Sequence, residues 1–252
     1  MNHVLGIDIG GTGIKAAPVD VTTGRLLAER AKVATPRPAT PAAVEAVLRQ
    51  LISDFAWSGP LGITFPGVVI DGTIRTAANL HPDWIGVSVA DLLNDVTAGK
   101  QVAVINDADA AGLAEMRFGA GTGERGVVLM LTLGTGIGSA LFYDGILVPN
   151  TEFGHIELDG EDAERRASER AREEQDLSWG KWAGRVDAYL DKMEQLLSPQ
   201  LIIIGGGISR KSDKFLPRLT TLRARVLPAA LHNDAGIVGG AMAAHEQTAA
   251  LG

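Results

Sequence analysis

Two glycine-rich segments each join one apolar strand to the next, and both carry groups that can bind phosphate. The first comprises Asp8, Gly10, Gly11, Thr12, Gly13 and Lys15. Its glycines let the backbone approach a bulky anion, and its N–H groups, Thr12 Oγ1 and Lys15 can hold phosphate oxygens. Asp8 ends a buried strand, so we expect it to act through Mg²⁺. A plain β-hairpin with a glycine turn is the alternative explanation of the glycines.

The second segment has the same strand–turn–strand setting and comprises Thr132, Gly134, Thr135 and Gly136. Two such loops on the two sides of a cleft would hold a phosphate chain between them. The first loop is neither a P-loop nor a dinucleotide-binding fingerprint, because a strand rather than a helix follows its glycines. A third run, Gly205, Gly206 and Gly207, follows a buried strand. It can accommodate an adenosine against the backbone or simply form a tight turn.

Asn106 and Asp107 follow another buried strand, a position where active-site groups stand in open sheets. Asn106 can donate to and accept from a sugar hydroxyl. Asp107 can accept the proton of an attacking hydroxyl, a role typically worth about 10²–10⁴ in rate. The competing interpretation is a helix N-cap, for which both residue types are favoured.

Glu152 and His155 are three residues apart and would face the same way on one helical turn. A carboxylate beside an imidazole suits the recognition of neighbouring hydroxyl groups on a sugar. The same pair can instead bind a metal ion.

The strand–turn–strand opening occurs near residue 4 and again near residue 127, which predicts an α/β fold of two similar lobes with a central cleft. We place the smaller lobe at 1–105, completed by a C-terminal helix at 236–252, and the larger at 106–235. Helices are expected at 41–55, 108–118 and 179–197. We also expect one strand over 25–32 and a solvated, charge-rich helix over 161–176.

Composition limits the partners that we expect. The 252 residues carry a formal net charge of −7, which argues against nucleic acid or an anionic membrane as a partner. There is no cysteine, and no apolar run approaches the roughly 18 residues that span a bilayer. The amino terminus shows no leader pattern. A cytoplasmic location is therefore expected.

Taken in order, these motifs resemble the ROK family of sugar kinases and regulators. The resemblance also includes the segments 62–67 and 78–80 with Trp84, which add Gly67 and Asn79 to the candidate substrate-binding residues. It implies an actin/hexokinase (RNase H-like) fold and a homodimer. It implies Asp107 as the catalytic base, with Asn106, Glu152 and His155 on the sugar.

The sequence departs from the family after His155, where many members have a cysteine-rich zinc loop that closes on a sugar-binding glutamate. The segment 161–176 replaces that loop, so we expect no structural zinc. Glu174 has about the right offset for the closing glutamate, with Glu173 and Glu169 as rivals. This insert and the following 177–186 are similar to the branch of the family formed by actinobacterial polyphosphate glucokinases.

A polyphosphate donor would need a basic exit track. The candidates are Arg165, Arg166, Arg170, Arg172, Lys181 and Arg185, although neighbouring acids can neutralise them. The expected reaction is transfer of a terminal phosphoryl group from polyphosphate or ATP to the 6-hydroxyl of glucose, with mannose as a further substrate. An exopolyphosphatase of the same superfamily is the main alternative. A repressor of the ROK family would need a helix-turn-helix ahead of Asp8, which we do not expect.

Overall fold

The computed structural model describes residues 2–77, 80–97, 101–220 and 223–250. The chain divides into two compact units, Met1–Ala114 with Asp234–Gly252 (the first unit), and Glu115–Asn233 (the second unit). The division falls inside a helix, nine residues beyond the boundary that we placed at 105. None of the helices in the described ranges is both long and apolar enough to cross a membrane.

The first unit is built on a six-stranded sheet with a small hairpin beside it. Its strands are β1 (His3–Ile9), β2 (Gly13–Asp20), β3 (Arg25–Leu26), β4 (Ala31–Ala34), β5 (Leu61–Phe65), the hairpin β6 (Val69–Ile70) and β7 (Thr73–Ile74), and β8 (Val102–Asn106). β1 pairs antiparallel with β2 and parallel with β5, and β5 pairs parallel with β8. The carboxyl ends of β1, β5 and β8 therefore meet at one edge of the sheet.

Four helices begin in the first part of the chain: α1 (Pro41–Asp54), α2 (Val89–Leu92), α3 (Asn94–Thr97) and α4 (Asp107–Phe118), with a 3₁₀ turn at Pro82–Trp84. Pro41 opens the first turn of α1, where the sequence predicted a helix to begin. Thr40 Oγ1 caps this helix by accepting the N–H of Ala43 at 3.3 Å. Its apolar face, which includes Leu48 and Leu51, packs into the core of this sheet.

The second unit repeats the same strand order. Its elements are β9 (Val127–Leu133), β10 (Ile137–Tyr143), β11 (Ile146–Val148), β12 (Glu157–Leu158), β13 (Glu161–Asp162), α5 (Ala163–Ala167), α6 (Glu169–Glu174), α7 (Trp179–Leu197), β14 (Leu201–Gly205) and β15 (Arg225–Pro228). The main sheet runs β11-β10-β9-β14-β15, which matches β3-β2-β1-β5-β8 in order and in strand direction. The prediction of two similar α/β lobes is confirmed.

Short 3₁₀ segments connect these elements at Phe153–His155, Gly207–Lys214, Leu216–Arg218 and His232–Asp234. The chain ends in α8 (Ala235–Ala250), which packs on β1, β5 and β8 of the first unit. The Ala/Gly-rich tail is therefore helical, as its composition indicated.

Two predicted elements were wrong in detail. The single strand at 25–32 is two strands, because β3 and β4 pair with different stretches of β2. The single helix at 161–176 is β13 followed by α5 and α6, interrupted at Ser168, which is extended at φ −65° and ψ 160°. Trp182 Nε1 donates to the carbonyls of Ala167 and Ser168 at 3.1 and 3.0 Å, and Ser168 Oγ caps α6. These carbonyls are thus satisfied without a continuous helix.

Candidate functional site

In the first unit, Asp8 lies near the end of β1 with both carboxylate oxygens engaged. Oδ2 accepts from Lys15 Nζ at 2.9 Å, and Oδ1 accepts from Thr64 Oγ1 at 2.9 Å. Lys15 is the cross-strand partner of Asp8 on β2, and Thr64 is its partner on β5. Strand register therefore brings the predicted carboxylate and ammonium together, because paired residues point to the same face of a sheet.

The Gly10–Gly13 segment forms a closed turn between β1 and β2. The N–H of Gly10 donates to the carbonyl of Gly13 at 3.1 Å, and Thr35 Oγ1 donates to the carbonyl of Gly10. Gly11 and Thr12 are exposed at the tip. The turn has the shape of the plain hairpin that we considered, and it presents an exposed backbone tip beside Lys15. Phosphate binding by this tip stays a prediction.

Asn106 ends β8 and caps α4. Its Oδ1 accepts the N–H groups of Ala108 at 2.8 Å and Asp109 at 3.0 Å, and its Nδ2 donates to the carbonyl of Gly67 at 3.1 Å. The N-cap interpretation is therefore confirmed for Asn106, whose acceptor atom is occupied and whose amide has a second N–H that donates to none of the described residues. Gly67 is fixed by the same side chain.

Asp107 is the first residue of α4 and is half-buried. Its Oδ1 accepts the N–H of Ala108 at 2.8 Å. This bond and the cap at Asn106 fix the carboxylate at the positive end of a helix. The remaining substrate candidate of this unit, Asn79, lies outside the described residues.

In the second unit, the loop after β9 is closed as the first loop is. The N–H of Gly134 donates to the carbonyl of Gly136 at 3.0 Å, and the carbonyl of Gly134 accepts the N–H of Arg170 at 3.0 Å. Thr132 is half-buried in β9, whereas Thr135 is exposed at the tip. The N-terminal turn of α6 is therefore attached to the second predicted phosphate loop.

Glu164, which sequence reasoning missed, lies against this loop. Its Oε2 accepts the N–H of Ile137 at 3.3 Å, and a side chain at Gly136 would collide with this oxygen. A carboxylate repels phosphate but accepts hydroxyl groups. Glu164 is thus suited to a sugar rather than to the donor.

Glu152 and His155 flank the 3₁₀ turn Phe153–His155, with Glu152 Oε2 at 3.9 Å from His155 Nε2. The structure therefore brings the predicted pair together. His155 Nδ1 is also 3.0 Å from Asp162 Oδ2, a contact that the sequence did not reveal. The signal that was available is weak: Asp162 stands just before an alanine-rich turn, as an N-cap residue does, and its Oδ1 accepts the N–H of Glu164 at 3.1 Å.

These contacts shift two pKa values upward. The hydrogen bond to Asp162 raises the pKa of His155, against the effect of partial burial, and the charges of Glu164, Asp162 and Glu152 add to the rise. Burial raises the pKa of Glu152, which His155 partly offsets. His155, Asp162 and Glu164 also offer three ligand atoms within 4.8 Å of one another, so the metal-binding alternative for this turn keeps a chemical basis. The absence of a structural zinc stays a prediction.

The three glutamates proposed for the closing position have other partners. Glu174 Oε1 accepts from Arg170 Nε at 2.7 Å on the exposed side of α6. Glu173 pairs with Arg172 at 3.4 Å, and Glu169 pairs with Lys211 at 3.3 Å. Contact of Glu174 with a sugar stays a prediction, but Glu164 is the glutamate that the structure places with His155 and Asp162.

The third glycine run makes a tight turn at the end of β14. Gly206 has φ +81°, and a side chain there would lie 2.7 Å from the carbonyl oxygen of Leu133. Both the positive φ and the close approach require glycine. The tight-turn interpretation is therefore confirmed, while binding of an adenosine at Gly205–Gly207 stays a prediction.

Replacing Asp162 with asparagine is expected to lower the pKa of His155, because the variant loses the negative charge while its Oδ1 can still accept the N–H of Glu164. Folding raises the pKa of His155, so the His155–Asp162 pair stabilises the fold at pH values below the ordinary histidine pKa. That contribution is lost as the pH rises through the raised pKa. An NMR titration of the His155 ring measures the shift. Asp159→Asn, at an exposed partner of Arg166, is the matched control. An unchanged His155 titration in Asp162→Asn would contradict the assignment.

Comparison with known proteins places this geometry in a family. The ROK family profile matches residues 4–175. A polyphosphate glucokinase of Mycobacterium tuberculosis is 51% identical over 246 residues, which cover 98% of this chain and 92% of the relative. The crystal structure of inorganic polyphosphate/ATP-glucomannokinase from Arthrobacter sp. strain KM superposes with a TM-score of 0.93 at 48% identity, covering 98% of this chain and 100% of that one.

A ROK family glucokinase from Streptomyces griseus, solved with glucose and AMPPNP, superposes with a TM-score of 0.81 at 28% identity, covering 97% of this chain and 99% of that one. These relatives give no support to the hydrolase alternative. The fold is the actin/hexokinase-like fold of the ROK sugar kinases, with the same strand order in both units. This chain belongs to the ROK family.

Proposed function

We propose that this protein is a glucokinase that transfers the terminal phosphoryl group of inorganic polyphosphate or ATP to the 6-hydroxyl of glucose. The observation that carries the proposal is the 51% identity, over nearly the whole chain, to a protein named polyphosphate glucokinase. The described groups have the required chemistry: a fixed carboxylate at Asp107, a carboxylate–imidazole cluster around His155, and two glycine loops.

Asp107 is the general base in this proposal. Its carboxylate takes the proton of the glucose 6-hydroxyl as that oxygen forms a bond to the terminal phosphorus, while the bond from phosphorus to the remaining donor breaks. The shortened donor leaves with the bonding electron pair. Asn106 positions Asp107 by capping α4 and offers one amide N–H to the sugar.

Sugar hydroxyls are assigned to Glu152, His155 and Glu164 of the second unit. Glu152 and Glu164 accept hydrogen bonds, and His155 donates or accepts according to its protonation. Asp162 is a positioning residue, because it holds His155 at Nδ1. Gly67, Asn79 and Glu174 remain further candidates for the sugar.

The donor phosphates are assigned to Gly10–Gly13 with Lys15, and to Thr132 and Gly134–Gly136, with Gly205–Gly207 next to the latter. Mg²⁺ would neutralise phosphate charge when bound. Both Asp8 oxygens already accept one hydrogen bond each, and a carboxylate has about four acceptor sites. Asp8 therefore fits a role toward Mg²⁺ through bound water, since Lys15 occupies one flank of its carboxylate.

Further features of the proposal are a homodimeric state, a cytoplasmic location and use of mannose as a second sugar. Mannose differs from glucose only at the 2-hydroxyl, and the Arthrobacter relative is named a glucomannokinase.

The test is an assay of the purified protein with Mg²⁺ and glucose, supplied with either ATP or long-chain polyphosphate, with glucose 6-phosphate as the measured product. Product from both donors is expected. Product from ATP alone would remove the polyphosphate part of the proposal. Phosphate release that is independent of glucose would favour the hydrolase instead.

A further inference from the structure

Three basic side chains of the second unit converge on one tryptophan. Arg172 Cζ lies 4.4 Å from the centroid of the Trp179 ring, Lys214 Nζ lies 5.3 Å away and Lys211 Nζ lies 6.0 Å away. Each distance is within the range of a cation–π interaction. We call this set of four residues the Trp179 patch.

The acids around the patch do not fully neutralise it. Glu169 pairs with Lys211 at 3.3 Å, and the contact of Glu173 with Arg172 is long at 3.4 Å. Lys214 forms no ion pair within the described ranges, and the Arg172 Nε is buried without a hydrogen-bond acceptor among those residues. Asp213, next to Lys214, is exposed. Like charges this close repel one another, so an anionic ligand would stabilise the arrangement.

The two segments of the second unit that we assign to the donor, Gly134–Gly136 and Gly205–Gly207, are each connected to an element that carries residues of the patch. The N–H of Arg170 donates to the carbonyl of Gly134, and Arg172 follows two residues further along α6. Gly207 begins the 3₁₀ segment that carries Lys211 and Lys214. Glu169 of α6 lies against this 3₁₀ segment. Its Oε1 pairs with Lys211 Nζ, and its Oε2 would be 3.8 Å from a side chain at Gly207.

The basic exit track that we proposed from the sequence is less suitable than the Trp179 patch for binding a polyanion, because three of its arginines already have partners. Arg166 pairs with Asp159 at 3.0 Å and Arg170 pairs with Glu174 at 2.7 Å. Arg185 donates to Gln175 Oε1 at 2.8 Å and to the carbonyl of Arg166 at 3.3 Å. Of that set, Arg172 is the member that reaches the patch. Lys211 and Lys214 gave no signal in sequence, since they are far from the insert along the chain.

We propose that the Trp179 patch binds the phosphates of a polyphosphate donor that lie beyond those held at the two glycine loops. The inference rests on the proposed polyphosphate-dependent activity and adds a location for the chain of the donor. A polyanion fits better than a stacked base, because Arg172 covers one face of the ring at 4.4 Å. ATP has no phosphates beyond the loops, so the patch distinguishes long donors from short ones.

The test compares the wild type with Lys211→Gln/Lys214→Gln and with Arg117→Gln/Arg125→Gln, a control that removes the same charge from exposed arginines of the same unit. KM is measured for long-chain polyphosphate, tripolyphosphate and ATP. We expect the patch variant to raise KM for long-chain polyphosphate about 10-fold, and to weaken its dependence on salt, because fewer counterions are displaced. KM for tripolyphosphate and ATP should change less than about 3-fold.

Binding is measured independently of catalysis by the tryptophan fluorescence of the wild type on titration with long-chain polyphosphate without glucose. Trp179→Phe identifies the part of the signal that belongs to Trp179. An unchanged long-chain KM in the patch variant, or an equal rise in the control, would overturn the inference. A wild type that binds polyphosphate at Trp179 but makes no product from it would overturn the proposed donor while leaving the patch as a polyanion site. Absence of both binding and product would overturn both.

Discussion

Replacing Asp107 with asparagine will lower kcat for glucose phosphorylation by about 10²–10⁴, with ATP and with polyphosphate alike. The amide cannot take the proton of the 6-hydroxyl, whereas its Oδ1 can still accept the N–H of Ala108, as the carboxylate does at 2.8 Å. Glucose binding should change only a few-fold. The measurement is kcat at saturating glucose together with calorimetric titration of glucose in the absence of a donor.

Asp91→Asn is the control for this variant. Asp91 lies in the first turn of α2, so the substitution removes a carboxylate from a helix N-terminus of the same unit without touching the proposed base. Its kcat should equal that of the wild type. Near-normal turnover in Asp107→Asn would exclude Asp107 as the base, and a loss of glucose binding without a loss of kcat would assign it to the sugar instead.

The position of Asp107 could be predicted because it depends on short-range pattern. A buried strand ending in two polar residues, followed by a helical run, is visible in the sequence, and parallel strands deliver their carboxyl ends to one edge of a sheet. The same reasoning predicted the two strand–turn–strand loops. What the sequence left open was which of the two neighbours is the N-cap residue: Asn106 Oδ1 accepts the N–H groups of Ala108 and Asp109, and Asp107 is already the first residue of the helix.

Asp162 and Glu164 could not be predicted by that reasoning. Their placement follows from the pairing of β12 with β13, in which Asp162 lies opposite Glu157, and from the hydrogen bond of the Ala163 N–H to the carbonyl of Ile156 at 2.9 Å. The charge pattern of 161–176 is equally compatible with one solvated helix, so the local signal pointed the wrong way. Strand pairing decided the local structure here, and the residues nearest to His155 were missed for that reason.

The sequence also predicted that the C-terminal tail is helical, but it did not show why this helix contains glycines. A side chain at Gly239 of α8 would overlap the carbonyl oxygen of Ala110, and one at Gly62 on β5 would overlap the carbonyl oxygen of Gly240. These overlaps are with backbone atoms, which cannot move aside as a flexible side chain does. The glycines therefore allow α8 to lie directly on β5 and α4.

Gly239→Ala is thus expected to reduce the free energy of unfolding by about 3 kcal/mol, because the helix must move away from its neighbours. Gly184→Ala is the matched control, since Gly184 also lies inside a helix, α7, but a side chain there meets nothing within 4 Å. The control should be stabilised by about 0.5–1 kcal/mol, as a Gly-to-Ala change in an exposed helix is. Urea titration measures the free energy of unfolding of both variants, which should change in opposite directions.

The same packing reaches Asp8, because a side chain at Gly236 would lie 2.9 Å from the Asp8 carboxylate. The start of α8 therefore borders the group assigned to Mg²⁺ and the donor. A shift of the helix in Gly239→Ala should raise KM for ATP as well as lower stability, whereas Gly184→Ala should change stability alone. If Gly239→Ala proved as stable as the wild type, the close packing of α8 on α4 would be wrong, and with it the reason for expecting the last helix to support the phosphate site.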